Sequence, residues 1–185
     1  MHTIEHINPD GSTVSVKVGD LLRPSIGEHV TIGQNVFLWG GTVIGDWVTI
    51  MDGCQFGIDV IIGQGGYIGR DSHLTGTTIG QGVWLEGKAQ AEPYVTIGDR
   101  VRIGFDCTLG PIIKIEDDVT IGGRFTTVSY TTIKAGAHIG DYVHLDRDIT
   151  IGEKTIVENG VNLFGQQEVP KHSRVSYQAP LVRVR

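Results

Sequence analysis

No stretch of this chain approaches the ~18 apolar residues that a membrane-spanning helix needs, so a helical span is excluded. Its start, Met1-His2-Thr3-Ile4-Glu5-His6, has neither a positive head nor an apolar run. It does not read as a secretory signal, and a cytoplasmic protein is expected. Positive charge is scarce as well. The 15 Lys and Arg face 21 Asp and Glu, for a net charge of −6, with no basic stripe. Nucleic acid and anionic membranes are therefore not expected as partners. Cysteine is nearly missing, Cys54 and Cys107 being the two present. The apolar residues also lack both the 3.6-residue spacing of a helix and the alternation of a plain strand.

In their place is a period of six. The stretch Ile97-Gly98-Asp99-Arg100-Val101-Arg102-Ile103-Gly104 shows the rule: an aliphatic residue, usually followed by Gly, with a small or apolar residue two places before it. The aliphatic position runs from Ile26 through Ile32, Leu38, Ile44, Ile50, Phe56, Ile62 and Ile68 to Leu74, then from Ile79 to Val175. Such a period needs a short strand and a corner in every repeat. Glycine is accordingly abundant, at 27 residues. Between Leu74 and Ile79 the count loses one residue, through Thr75-Gly76-Thr77-Thr78, which predicts a shortened corner; a loop leaving the body of the protein is the other reading. Ala91 and Thr127 are the weak rungs. Phe125 and Val128 beside Thr127 predict a bulge in which Val128 takes the place of Thr127 inside.

The repeated pattern aliphatic-Gly-x-x-small-x resembles the hexapeptide-repeat acyltransferase superfamily, to which the γ-class carbonic anhydrases are related. The resemblance covers roughly residues 26 to 180 and implies an all-β fold, a left-handed parallel β-helix. Three hexads would close one triangular coil, so about 26 hexads give eight to nine coils and, at roughly 4.8 Å per coil, a prism about 40 Å long. Each aliphatic side chain then stacks on the one eighteen residues away, as Ile97 on Ile115 and Ile133, and contributes roughly 1.5 to 3 kcal/mol by burial. The Gly that follows is explained by crowding at the corner or by a positive φ. Cys54 and Cys107 fall three coils apart, roughly 14 Å, too far for a disulfide, and read as buried free thiols.

Residues 1–20 lie outside the repeat. Thr3 to Ile7 and Thr13 to Val18 flank the turn sequence Asn8-Pro9-Asp10-Gly11, which predicts a β-hairpin capping the first coil. The expected division is a cap over 1–20, the β-helix over 21–180 and a tail over 181–185. Near the end, Val169-Pro170-Lys171-His172-Ser173-Arg174-Val175 and Ala179-Pro180-Leu181-Val182-Arg183 are similar to the ending with which acyltransferases of this superfamily help hold coenzyme A. Tyr177 and Gln178 stand where those enzymes have a Gly region, and Ala179-Pro180 inverts their Pro-Ala.

With the core spent on packing, chemistry must use the outward residues, which sort into three columns. The first runs Ser25, Val43, Ile61, Thr78, Thr96, Lys114, Thr132, Thr150, Glu168. The second holds Tyr67, Trp84, Arg102, Thr120, His138, Ile156 and Arg174, with Glu86 and Glu158 beside it; Trp84 near Arg102 and Glu86 suits either a ligand wall or a subunit contact. The third includes His73, Thr126, His144 and Asn162, with Asp146 and Phe164 alongside. His144-x-Asp146 sets an imidazole and a carboxylate on one face, as either a general base with its orienting partner or a solvated pair.

The resemblance implies a homotrimer with ligand sites in the clefts between prisms. It implies transfer of an acyl group from acyl-CoA, such as acetyl-CoA, to a small-molecule hydroxyl or amine acceptor. His144, Asp146 and His138 are the candidate catalytic residues, and Trp84, Arg102 and Arg174 the candidates for holding the cofactor. The loop that carries the catalytic His in some of these enzymes has no counterpart, since Gly110-Pro111-Ile112-Ile113 runs straight into the next rung. A non-catalytic trimeric scaffold or binding protein is thus a second reading, and a γ-class-like metalloprotein a third. The zinc of the γ class needs three His, but His138 and His144 fall on different faces and His73 lies four coils from His144, so no metal is expected.

Overall fold

The computed structural model describes residues 2–19 and 23–176. The expected tail over 181–185, the altered motif at 177–183 and the junction at 20–22 lie outside the described residues. The rest is an all-β, left-handed parallel β-helix of about nine turns, with no helix among the described residues. Each coil gives one strand of two or three residues to each of three faces. Nine strands form the first face, from Ser25–Ile26 to Gln167–Val169, and nine the second, from Thr31–Ile32 to Arg174–Val175. Ten strands form the third, including the N-terminal hairpin of β1 (His2–Ile7) and β2 (Thr13–Val18).

A two-residue strand turns one side chain out and the next in, which is why a six-residue period serves where an alternating one would not. Ile97, Ile115 and Ile133 stack in one ladder, each about 1% exposed or less. The residue two places earlier is also buried, and where it is polar its hydroxyl donates to a corner carbonyl: Thr42 to Trp39 (2.7 Å), Ser72 to Gly69 (2.8 Å) and Thr155 to Pro170 (2.8 Å). No buried side-chain polar atom among the described residues lacks a partner.

Pairing across the coils fits the column count. Thr78 pairs with Thr96 and His138 with Ile156, eighteen residues apart, whereas Ile61 pairs with Thr78, Tyr67 with Trp84 and His73 with Gln90, seventeen apart. The lost residue is a shortened corner at Thr75–Gly76, and no loop leaves the prism there. Gly76 turns with φ +52°, its N–H donates to Ile58 O and its carbonyl accepts Tyr94 N–H, so the corner's hydrogen bonds continue.

The two explanations of the repeated Gly separate cleanly. A Cβ on Gly98 would collide with Oδ1 of Asp117 and lie 2.8 Å from its amide nitrogen, so crowding by the next coil demands the Gly. The same Asp117 Oδ1 accepts the N–H of Asp99 at 2.9 Å, and Asp141 does this for Gly123 at 2.8 Å. The left-handed φ falls two places later instead, on seventeen non-glycine residues among those described, including His29, Trp47, Tyr94, Ile112 and Tyr130.

The bulge expected at Thr127 is not formed. Thr127 is only 4% exposed while Val128 stands out at 40%. Burial of the hydroxyl is tolerated because it donates to Thr131 Oγ1 at 3.0 Å, and Thr131 passes its own proton to the carbonyl of Ser129. Val128 starts the next corner and has no inward place to take.

The hairpin covers the open end of the stack. β1 and β2 pair antiparallel, and β2 adds to the third face through Lys17 opposite Phe37 and Val18 opposite Leu38. Asn8 at its turn then closes the end of the second face, accepting Ile32 N–H at 2.8 Å and donating to Ile32 O at 3.1 Å, while His6 Nε2 donates to Val30 O. The backbone groups of Val30 and Ile32 that would otherwise face an open end are thereby satisfied.

Cys54 and Cys107 are buried free thiols, and burial pushes each up to about 11. Both stay neutral at pH 8, and the thiolate is the reactive form. A colorimetric thiol reagent at pH 8 should find neither in the folded protein and both in denaturant. Rapid labelling of the native chain would contradict this burial.

Candidate functional site

On the second face the ladder brings Tyr67, Trp84 and Arg102 together on successive coils. The Tyr67 and Trp84 rings stack with centroids 4.0 Å apart and 13° between their planes, and Trp84 remains 47% exposed. Beside them is a hollow of about 270 Å³ lined by Trp84, Glu86, Arg102, Thr120 and Asp141. Arg102 makes no ion pair among the described residues.

Further along the same face, His138, Ile156, Glu158, Asn159 and Arg174 line a second hollow of about 380 Å³. Arg174 is committed there to Glu158, with Nε and a terminal guanidinium nitrogen each 2.6 Å from Oε1. That bond, with one from Ser176, holds the Glu158 carboxyl below the usual carboxylate range. Arg174 is largely exposed and Glu158 about a third exposed, so the pair adds little to stability. Its effect is to occupy the guanidinium that the sequence assigns to the cofactor. The His138 ring has no hydrogen bond among the described residues.

His144 lies on the third face, away from these groups. It is half-buried, with Nδ1 2.8 Å from Thr126 Oγ1 on the preceding coil and its ring 6.0 Å from that of Phe164. The orienting partner is therefore Thr126, not Asp146. Asp146 turns to the corner: the N–H groups of Arg147 and Gly165 hold its carboxyl below the usual range, with Arg147 and His144 adding smaller electrostatic contributions. Thr126 precedes His144 by eighteen residues in the same column, a signal readable from sequence. The faces thus gather Trp84, Arg102, His138 and Arg174 on one side and leave His144 with Asp146 on another. No group of three or more His, Cys, Asp or Glu suited to a metal occurs among the described residues.

The family model of the hexapeptide repeat of succinyl-transferase matches residues 25–55 and 94–122. No curated protein matches the chain in sequence. Among solved structures, a Bacillus cereus protein described as an acetyltransferase is 20% identical over 87% of this chain and 76% of its own, with a TM-score of 0.44. LpxA from Acinetobacter baumannii is 15% identical over 88% of this chain and 69% of its own, TM-score 0.47. The UDP-N-acetylglucosamine acyltransferase from Campylobacter jejuni is 13% identical over 84% and 67%, TM-score 0.44. No helix among the described residues is long and apolar enough to cross a membrane.

Proposed function

We propose that this chain is a cytoplasmic, homotrimeric acyltransferase of the hexapeptide-repeat kind, moving an acyl group from acyl-CoA to a small hydroxyl or amine acceptor, with His144 as general base. The observation that carries this is the 2.8 Å bond between His144 Nδ1 and Thr126 Oγ1. With Nδ1–H donating to the threonine, Nε2 keeps its lone pair and a fixed direction, which is what a base that removes the acceptor's proton needs. His138 is exposed and lacks such a tether.

The groups on the second face fit a nucleotide thioester in kind. Trp84 offers a flat apolar surface, and Arg102 an unpaired guanidinium suited to phosphate. Bound there, acyl-CoA supplies a carbonyl open to attack and a thiol as leaving group. His144 takes the proton as the acceptor attacks and returns it to the departing sulfur, while Asp146 favours the transient positive charge on the ring. Because the two sets of residues occupy different faces, a donor on one prism is served by His144 of a neighbour.

A second reading has its own support. From Ser25 to Val175 the hexads follow one another with no inserted loop, as a scaffold or binding protein would have them. Melting with and without acetyl-CoA separates the two. At a concentration a hundred times the dissociation constant, binding adds about 2.7 kcal/mol and raises the midpoint by several degrees. An unchanged midpoint together with no thiol release across a panel of hydroxyl and amine acceptors would leave the scaffold.

A further inference from the structure

Where the chain passes from the third face to the first, exposed apolar side chains occupy three consecutive corners: Tyr94, then Ile112, then Tyr130. The run is bounded at both ends. Toward the N-terminus the short corner Thr75–Gly76 offers no large side chain, and toward the C-terminus the corner Asp146-Arg147-Asp148 is charged. Three corners cover two coil steps, about 10 Å, far short of the roughly 800 Å² that each side of a stable protein interface covers. They form one wall of a cleft of about 350 Å³, whose other side is Thr96, Lys114 and Thr132 of the first face. That is the scale of a small-molecule pocket.

The wall is stiff and is held against local preference. Tyr94, Ile112 and Tyr130 turn with φ of 66°, 60° and 52°. Of the seventeen non-glycine residues described in that conformation, Ile112 is the one with a β-branched side chain, the type least suited to it. It is nonetheless 42% exposed, so burial in its own core does not explain it. Pro93 and Pro111 precede Tyr94 and Ile112 and fix their own φ, which holds these corners in place before any ligand arrives. Strain kept on an exposed apolar tip marks a surface shaped for contact.

The other side of the cleft supplies a charge. Lys114, paired across the coils with Thr96 and Thr132, is the one cation of its column among the described residues. Its ammonium lies 3.2 Å from Glu116 in a pair whose lysine is largely exposed, and the second Glu116 oxygen accepts Ala135 N–H. Such a pair is weakly held, and an ammonium with three donors keeps capacity for another anion. The corner backbone offers no further donor, since the N–H groups of Tyr94, Ile112 and Tyr130 are bonded to the carbonyls of Gly76, Pro93 and Pro111. A phosphate, held best by an Arg fork or by several backbone N–H groups, is thereby disfavoured. A carboxylate needs fewer donors.

We infer that this cleft binds a small aromatic carboxylate. Tyr94 and Tyr130 are two coils apart, so a flat ring seated over Ile112 comes about 5 Å from each, in the range of offset and edge contacts. Its carboxylate then meets Lys114, with the Thr96 and Thr132 hydroxyls alongside. Binding here requires neither acyl transfer nor His144.

Fluorine NMR of 4-fluorobenzoate titrated with the full chain tests this. The wild type should broaden the signal saturably, and 4-fluorobenzamide, of the same shape without the charge, should bind about tenfold more weakly. Lys114→Met and Tyr130→Asn should each raise Kd about fivefold or more. Asn suits the left-handed position, so the second variant should remain folded by circular dichroism. Glu116→Gln removes the competing carboxylate, keeps an oxygen for Ala135 and should bind more tightly. Tyr142→Asn, at the equivalent position of another edge, should bind as the wild type does. No saturable binding by the wild type overturns the site, and equal binding of the amide overturns the choice of an anion. A loss with Tyr142→Asn but not with Tyr130→Asn overturns the location.

Discussion

Ile115→Asp should abolish the cooperative melting of the native prism or lower its midpoint by about 10–20 °C, corresponding to a loss near 5 kcal/mol. Ile115 is 1% exposed and stands between Ile97 and Ile133, with apolar neighbours in its ladder and no cation among them. A carboxylate there must either be buried unpaired or take up a proton, and both are costly. The chain cannot spread the damage. Each coil of a solenoid touches only the coils above and below, so losing one interface separates the stack into two weaker pieces. Ile115→Val removes one methylene and should cost only about 1 kcal/mol. Thermal unfolding followed by circular dichroism measures both, and a soluble Ile115→Asp protein melting like the wild type would contradict the axial ladder.

The second large effect concerns chemistry. If the chain transfers acyl groups as proposed, His144→Ala should lower kcat/KM for thiol release by about 10²- to 10⁴-fold, the usual contribution of a positioned general base. Thr126→Val keeps the shape of the supporting side chain but removes the oxygen that sets the ring. It should cost less, about tenfold, and mainly in kcat. His138→Ala should leave kcat within about threefold, since a group outside the proton transfer contributes little to the barrier. The opposite ranking, with His138→Ala severe and His144→Ala mild, would move the reaction to the hollow shared with Glu158 and Arg174.

Most of the architecture was readable because the hexad imposes one rule on core and corner alike. The rule assigns all three outward columns and locates the shortened corner at Gly76. It failed where a single hydrogen bond outweighed apolar preference. Thr127 looked too polar for the axis, yet Thr131, four residues on, completes its hydroxyl's bonding and keeps it inside. The pairing of His144 with Asp146 failed for a related reason: adjacency along the chain suggested the carboxylate, but the corner's N–H groups claim Asp146, and adjacency across coils brings Thr126. Arg174 was visible as a cation, whereas its engagement by Glu158, sixteen residues earlier, depends on side-chain reach that no spacing rule contains. The exposed side chains of Tyr94, Ile112 and Tyr130 occupy corner positions on which the hexad places no demand.

The seventeen-residue coil at Gly76 has a consequence beyond its own geometry. A perfectly regular rod is a ruler without marks, and two such rods laid together could slide by one division at almost no cost. Here one division, at Thr75–Gly76, is a residue shorter than the others among the described residues. That notch gives the molecule an origin along its length.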